Sequence, residues 1–353
     1  DIELEARAHS LYGNALMFLG DYDGARAAMQ HGLNLARRVD AKQVQMETLR
    51  ILGVVAEEQG NFEDQSHYYE EALVLSREMG DRAQERKALN SLGVAAQGRG
   101  EYERAMSYFD KSLVIARAIG DRQGEGTVLN NIAVQASNLG DYPHARDLLQ
   151  QALVFARDVR DMTGVYIGLL NLAGVESHNG RMNEALALYD EAQRYAEESG
   201  DRPLIGYILN GKGRALLDGG QPDTAQVWLR RARDLRLELG QPHMAAETRA
   251  FLAEALAARG DLPAAAAEAN EALAYLEAGQ LEDIEDELRV LLAVYHALDA
   301  AGDPRAADVL ARAYNALAVA AARLDKTSRA RYLADVPWNR AIVRLWEERA
   351  TST

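Results

Sequence analysis

Large apolar residues return along the chain in a fixed rhythm. Leu52, Leu92, Ile132 and Leu172 share one register, Tyr22, Phe62, Tyr102 and Tyr142 another, and Tyr69, Phe109 and Tyr189 a third. Their offsets of three, four and seven within a segment place them on one face of a helix. Small residues recur between them: Gly13, Gly53, Gly93, Ala133, Ala173, Gly213 and Ala253; then Ala25, Ala105, Ala145, Ala185, Ala225 and Ala265, with Gln65 the exception; then Ala72, Ala152, Ala192, Ala232 and Ala272. A missing side chain lets two helices approach backbone to backbone, so each large residue is expected to pack over a small one. The pattern predicts helices of about sixteen to eighteen residues.

The turns keep the same period. Gly20, Gly60, Gly100, Gly140, Gly180, Gly220 and Gly260 stand forty residues apart, and a second break carries Gly80-Asp81-Arg82, Gly120-Asp121-Arg122 and Gly200-Asp201-Arg202. In Gly60-Asn61, Gly100-Glu101, Gly140-Asp141 and Gly260-Asp261, a residue tolerant of left-handed geometry closes one helix, and in most of them an acceptor caps the next. The chain is therefore a repeat array of helical hairpins. One hairpin cannot bury its apolar face alone, whereas stacked copies bury a continuous core. Eight units are expected near 3–42, 43–82, 83–122, 123–162, 163–202, 203–242, 243–281 and 282–325, the array ending at 325.

The last unit slips register, its glycine falling at Gly302 and not at position 300, which is Ala. An Ala-rich segment runs on to Leu324; Val336-Pro337-Trp338 then breaks the tail, and Arg340 to Glu348 reads as a short closing helix. Residues 326–353 are expected to cap the last apolar face.

The order small residue, Gly-acidic-Tyr turn, Ala and second Ala resembles the tetratricopeptide repeat. HEAT and armadillo units of about 40 to 47 residues compete on period, but the turn and small-residue code match the tetratricopeptide pattern with three more residues per helix. The resemblance implies an all-α fold, a right-handed α-α superhelix of about eight hairpins with a C-terminal capping segment. Units ending in "GDR" are similar to those of the LGN/Pins cell-polarity adaptors and to the sensor regions of bacterial STAND-type signalling ATPases and transcription activators of the MalT and AfsR kinds. The Ala- and Arg-rich wording leans bacterial.

Composition narrows the partners. Fifty-four acidic residues against thirty-nine Lys and Arg give a net charge of −15, which repels phosphate backbones and anionic lipid. No nucleic acid or membrane partner is expected, and no apolar run approaches the ~18 residues that span a bilayer. The absence of cysteine removes disulfides and thiolate chemistry and suits a cytoplasmic location. The opening Asp1-Ile2-Glu3-Leu4-Glu5 carries neither an initiator Met nor a signal peptide, so the chain reads as a fragment of a longer protein.

In repeats of this resemblance the first helix of each pair lines the concave surface, which nominates Asn14, Arg50, Lys87, Asn90, Gln97, Asn130, Asn131, Asn171, Tyr207, Asn210 and Arg214 as partner-binding residues. Glu47, Glu57, Glu247 and Glu254 fall in the same registers. Asn disfavours mid-helix positions, so its recurrence calls for a cause. Either the amides form a ladder for a peptide backbone, or they bond neighbouring helices and fix stacking. A two-carboxylate clamp is excluded, because Ser10 stands where that clamp requires Lys beside Asn14, and Asn131 is followed by Ile167 and Asn171.

Arg230, Arg231, Arg233 and Arg236 form one basic cluster, read as a solvated convex face with an acidic partner's dock as the alternative. Gly211-Lys212-Gly213 lacks phosphate-loop spacing. The seven histidines offer neither an H-E-x-x-H motif nor an adjacent metal pair, so no catalytic, cofactor or metal residue is expected and no cofactor is implied. The expected partner is a protein or peptide. A sugar or metabolite sensor is the alternative, and self-association into a homo-oligomer stays open.

Overall fold

The computed structural model describes residues 1–277 and 287–352, and among them eighteen α-helices and no strand. The expected boundary at 281/282 and the terminal residue 353 lie outside the described residues. The helices run in pairs: α1 (Ile2–Phe18) with α2 (Tyr22–Arg38), α3 (Lys42–Glu58) with α4 (Phe62–Glu78), α5 (Arg82–Gly98) with α6 (Tyr102–Ile119), and α7 (Arg122–Asn138) with α8 (Tyr142–Asp158). There follow α9 (Met162–His178) with α10 (Met182–Ser199), α11 (Arg202–Asp218) with α12 (Pro222–Glu238), and α13 (Pro242–Ala258) with α14 (Leu262–Glu277). Then come α15 (Glu287–Ala300), α16 (Ala306–Ala322), α17 (Lys326–Ala334) and α18 (Pro337–Ser352). The chain forms two compact units, Asp1–Ile132 and Ala133–Thr353.

The turn chemistry explains the helix ends. Gly60, Gly80, Gly120, Gly140 and Gly200 adopt φ between 67° and 82°, the left-handed conformation that closes each helix. Asp40 (φ 52°) and Arg160 (φ 55°) hold the same turn without glycine, a conformation that costs an L-residue free energy. The Asp21, Asn61, Asp81, Asp121, Asp141, Asp161 and Asp201 side chains accept from the backbone N–H three residues on and so cap the following helix. Glu101 does not cap. Its carboxylate is taken by Arg99 and Arg104, which hold it below the usual carboxylate range, the Arg99 hydrogen bond contributing most.

In the first unit a methyl group at Gly53 would overlap the Tyr69 ring, and one at Gly93 the Phe109 ring. In these two hairpins the small residue of the first helix seats the aromatic of the second, and in the first hairpin Gly13 seats Met29. Tyr69, Leu73, Leu89, Leu92 and Ile115 form one buried cluster, and Met29, Leu33, Leu49 and Leu52 another. In the second unit Leu149, Leu169, Ile208, Leu229, Phe251 and Leu291 are fully or almost fully buried. Among the described residues no helix is long and apolar enough to cross a membrane.

The C-terminal segment departs from expectation. In place of one short helix over 340–348 there are two, α17 and the sixteen-residue α18. Pro337 does not merely break the tail. With no N–H to leave unpaired and φ already helical, it serves as the first residue of α18.

Candidate functional site

In the first unit the nominated residues lie on α1, α3, α5 and the first part of α7. Arg50 and Lys87 are exposed, and Asn14, Asn90, Gln97, Asn130 and Asn131 are half-buried. Neither Arg50 nor Lys87 enters an ion pair with a described residue, although most cations of this acidic chain do. The amide ladder is partly turned on itself. Asn131 Nδ2 donates to Asn90 Oδ1 at 2.9 Å, linking α7 to α5. Ser10, one repeat period before Arg50, is buried, its hydroxyl 2.5 Å from that of Thr48 on α3.

In the second unit the same registers on α11, α13 and α15 carry a charge network. Asn210 is buried and donates through Nδ2 to Glu247 at 3.4 Å. The Arg214 guanidinium lies 3.6 Å from Glu247 and over the Phe251 ring at 4.6 Å. Arg289 stacks on Phe251 at 5.2 Å and pairs with Asp218 at 2.8 Å and Glu254 at 2.7 Å. His296 Nδ1 lies 2.6 Å from the second Glu254 oxygen. Burial alone would push the Glu254 carboxyl up, but Arg289 and His296 hold it at about 2. Burial likewise opposes the charge on Arg289, yet Glu254 and Asp218 raise its pKa above the ordinary arginine value. Asn171 is half-buried on α9, and the half-buried Tyr207 ring faces the Arg236 guanidinium at 5.3 Å.

The C-terminal helices return to this unit far from their place in sequence. Arg331 on α17 pairs with Asp141, 190 residues earlier, and Asp335 and Val336 lie beside Gly140. Trp338 meets His178 edge-on, centroids 5.0 Å apart, and His178 meets Tyr142 at 5.3 Å. Burial, with a smaller contribution from Arg214, lowers the His178 pKa to about 4. Farther along α18, Trp346 stacks on Tyr314 of α16 at 4.7 Å. The segment therefore spans α8, α9 and α16 and does more than cover the last repeat.

One sequence expectation needs correction. Arg236 is not on a solvated face: it is fully buried, donating to Met244 O at 2.7 Å and to Thr248. Arg233 is drawn into ion pairs with Asp234 and Glu268, which leaves Arg230 and Arg231 as the exposed members. The cause is close packing of α12 on α13, which offers a carbonyl and a hydroxyl to a guanidinium at that register. Two of the histidines, distant in sequence, are neighbours in space. His9 and His31 meet across α1 and α2, with Glu5 beside them.

Arg289, Asp218, His178 and His296 escaped sequence reasoning. A signal existed for two of them. With the two-residue slip of the last unit applied, Arg289 falls in the register of Lys87, Tyr207 and Glu247, and His296 in that of Asn14, Arg214 and Glu254.

Two family models described as tetratricopeptide repeat match the chain, one at residues 84–158 and 165–238, the other at 6–31 and 246–271, together more than half of it. No curated protein sequence matches. Among solved structures, the Rap conjugation gene regulator of plasmid pLS20 in complex with the Phr* peptide is similar at a TM-score of 0.65 and 13% identity, over 90% of this chain and 95% of that one. A Rap protein complexed with competence and sporulation factor gives 0.63 and 13%, over 99% and 100%. The STAND protein PH0952 from Pyrococcus horikoshii, with its tetratricopeptide repeat sensor, gives 0.59 and 16%, over 87% of this chain and 47% of that one. At these identities the likeness shows the fold alone.

Proposed function

The chain belongs to the tetratricopeptide repeat family, and we propose that it is a non-catalytic binding module that takes an acidic peptide or acidic segment of a partner protein on the first-helix face of residues 1–132. The observation that carries this reading is the pair Arg50 and Lys87. Both are exposed, neither is ion-paired with a described residue, and Arg50 shares a register with the half-buried Asn90 on the next first helix. A carboxylate-bearing ligand would meet two cations flanked by amide donors and acceptors, a polar combination suited to an extended chain.

The Rap structures named above hold a peptide or a peptide factor, which supports the ligand class without supplying its identity. We read residues 1–325 as the array and 326–353 as its C-terminal segment, within a cytoplasmic bacterial signalling or transcription-regulatory protein. The sugar or metabolite reading is less favoured, because Tyr207, the aromatic that would stack on a sugar, and the nearby Arg214 are engaged with Arg236, Glu247 and Phe251.

The test is a peptide array graded in acidic content, probed with the wild type and with Arg50→Ala/Lys87→Ala. Exposed charge-assisted contacts of ~1 kcal/mol each predict a loss of about thirtyfold in affinity for acidic peptides. Equal retention by the double variant would refute the proposal.

A further inference from the structure

A second site lies on α1 and α2, apart from the registers discussed so far. Glu5 and His9 stand four residues apart on α1, so their side chains rise one above the other on a single helix face. His31 projects toward them from α2. The ligating atoms of the three all lie within 4.8 Å of one another, and the imidazole rings meet edge-on, centroids 4.4 Å apart at 70°. We propose that Glu5, His9 and His31 form a three-ligand site for a divalent transition-metal cation of the zinc type.

The backbone holds this arrangement in place. Gly32, the residue after His31, packs directly on α1: a methyl group there would come 2.8 Å from the Ala6 carbonyl oxygen and 3.1 Å from His9 Cβ. At the other end of the pair a methyl on Gly13 would come 2.9 Å from the Ala25 carbonyl oxygen. The helices cannot approach this closely with larger residues at these positions, and the spacing they fix is what brings the two imidazoles within reach of one ion. Zinc binds imidazole nitrogen and carboxylate oxygen at about 2.0 to 2.2 Å, so tetrahedral ligands stand roughly 3.4 Å apart. Drawing the three donors in from their present separation needs only side-chain rotation, since Glu5 and His31 are exposed and His9 is half-buried.

The donors are also uncommitted. The neighbouring Glu3 takes Arg7 at 3.4 Å, whereas Glu5, His9 and His31 enter no ion pair with a described residue. Two imidazoles with one carboxylate favour zinc-type cations over magnesium or calcium, which prefer all-oxygen shells. Three protein ligands leave a fourth position for water or for a carboxylate from outside.

Isothermal titration of untagged protein at pH 7.5 with zinc chloride, and separately with magnesium chloride, tests the site. One zinc per chain at micromolar affinity or tighter, with no magnesium signal, is expected. His9→Gln/His31→Gln should weaken zinc binding at least ~tenfold. His67→Gln, which removes the His67–Glu71 pair on α4, should leave it unchanged. Circular dichroism melts confirm that the variants fold. Absence of zinc binding in the folded wild type, or the same stoichiometry and affinity in the double variant, would overturn the assignment.

Discussion

Arg50 and Lys87 on α3 and α5 stand exposed and form no ion pair with a described residue, whereas Arg214 and Arg289 on α11 and α15 are drawn into carboxylates and stacked on Phe251. All four occupy first-helix registers, and all four are arginine or lysine. The acidic side chains within reach decide the difference. Asn90, one repeat on from Arg50 in the same register, is engaged by Asn131, while Arg289 meets acidic residues on two helices, Asp218 and Glu254. The register shared by Lys87 and Arg289 is thus exposed in one unit and part of the scaffold in the other.

The largest test of this contrast removes one cation from each unit. Arg289→Met leaves the largely buried Glu254 carboxylate without its arginine partner and should cost ~3 to 5 kcal/mol in urea unfolding. Arg50→Met, at an exposed position, should stay within about 0.5 kcal/mol. Similar costs for the two would break the comparison.

Acid should act on the second unit in two steps. His178 is held neutral, its pKa lowered from 6.5 to about 4, so the unfolded chain takes up the proton first. Stability present above pH ~6.5 is lost as pH falls toward 4, by ~2 to 3 kcal/mol. Glu254, lowered from 4.5 to about 2, adds a second loss below pH ~4.5. His178→Phe should abolish the first step in a melting-temperature profile and leave the second.

Smaller effects sharpen the picture. Asn90→Ala removes the acceptor for Asn131 and should cost ~1 kcal/mol of stability. Arg160→Gly relieves a left-handed residue in the second unit and should stabilise by about 0.5 to 1 kcal/mol in thermal melts. Asp40→Gly, the same change in the first unit, should gain less, because Asp tolerates that conformation better.

The fold was legible because its determinants are local and periodic. Gly53 and Gly93 announce where Tyr69 and Phe109 will pack, and the Gly-Asp turns at 80–81, 140–141 and 200–201 write both the left-handed exit and the next cap. The site was legible only as registers. Whether Asn210 or Arg214 faces solvent depends on Glu247, thirty-odd residues away, and no spacing rule reports that an acceptor will arrive there. Arg236 shows the same failure in reverse: a run of arginines looked solvated, yet Met244 and Thr248 of the next helix draw one of them inside. The return of Arg331 to Asp141 is an encounter that periodicity cannot encode, because the segment lies outside the repeat.

Hydrogen–deuterium exchange of the wild type, with and without the tightest acidic peptide from the array, tests the central claim most directly. Protection confined to α3, α5 and the first turns of α7 is the predicted result. Unchanged exchange there, with protection instead at α11, α13 and α15, would contradict the assignment of the open face to residues 1–132.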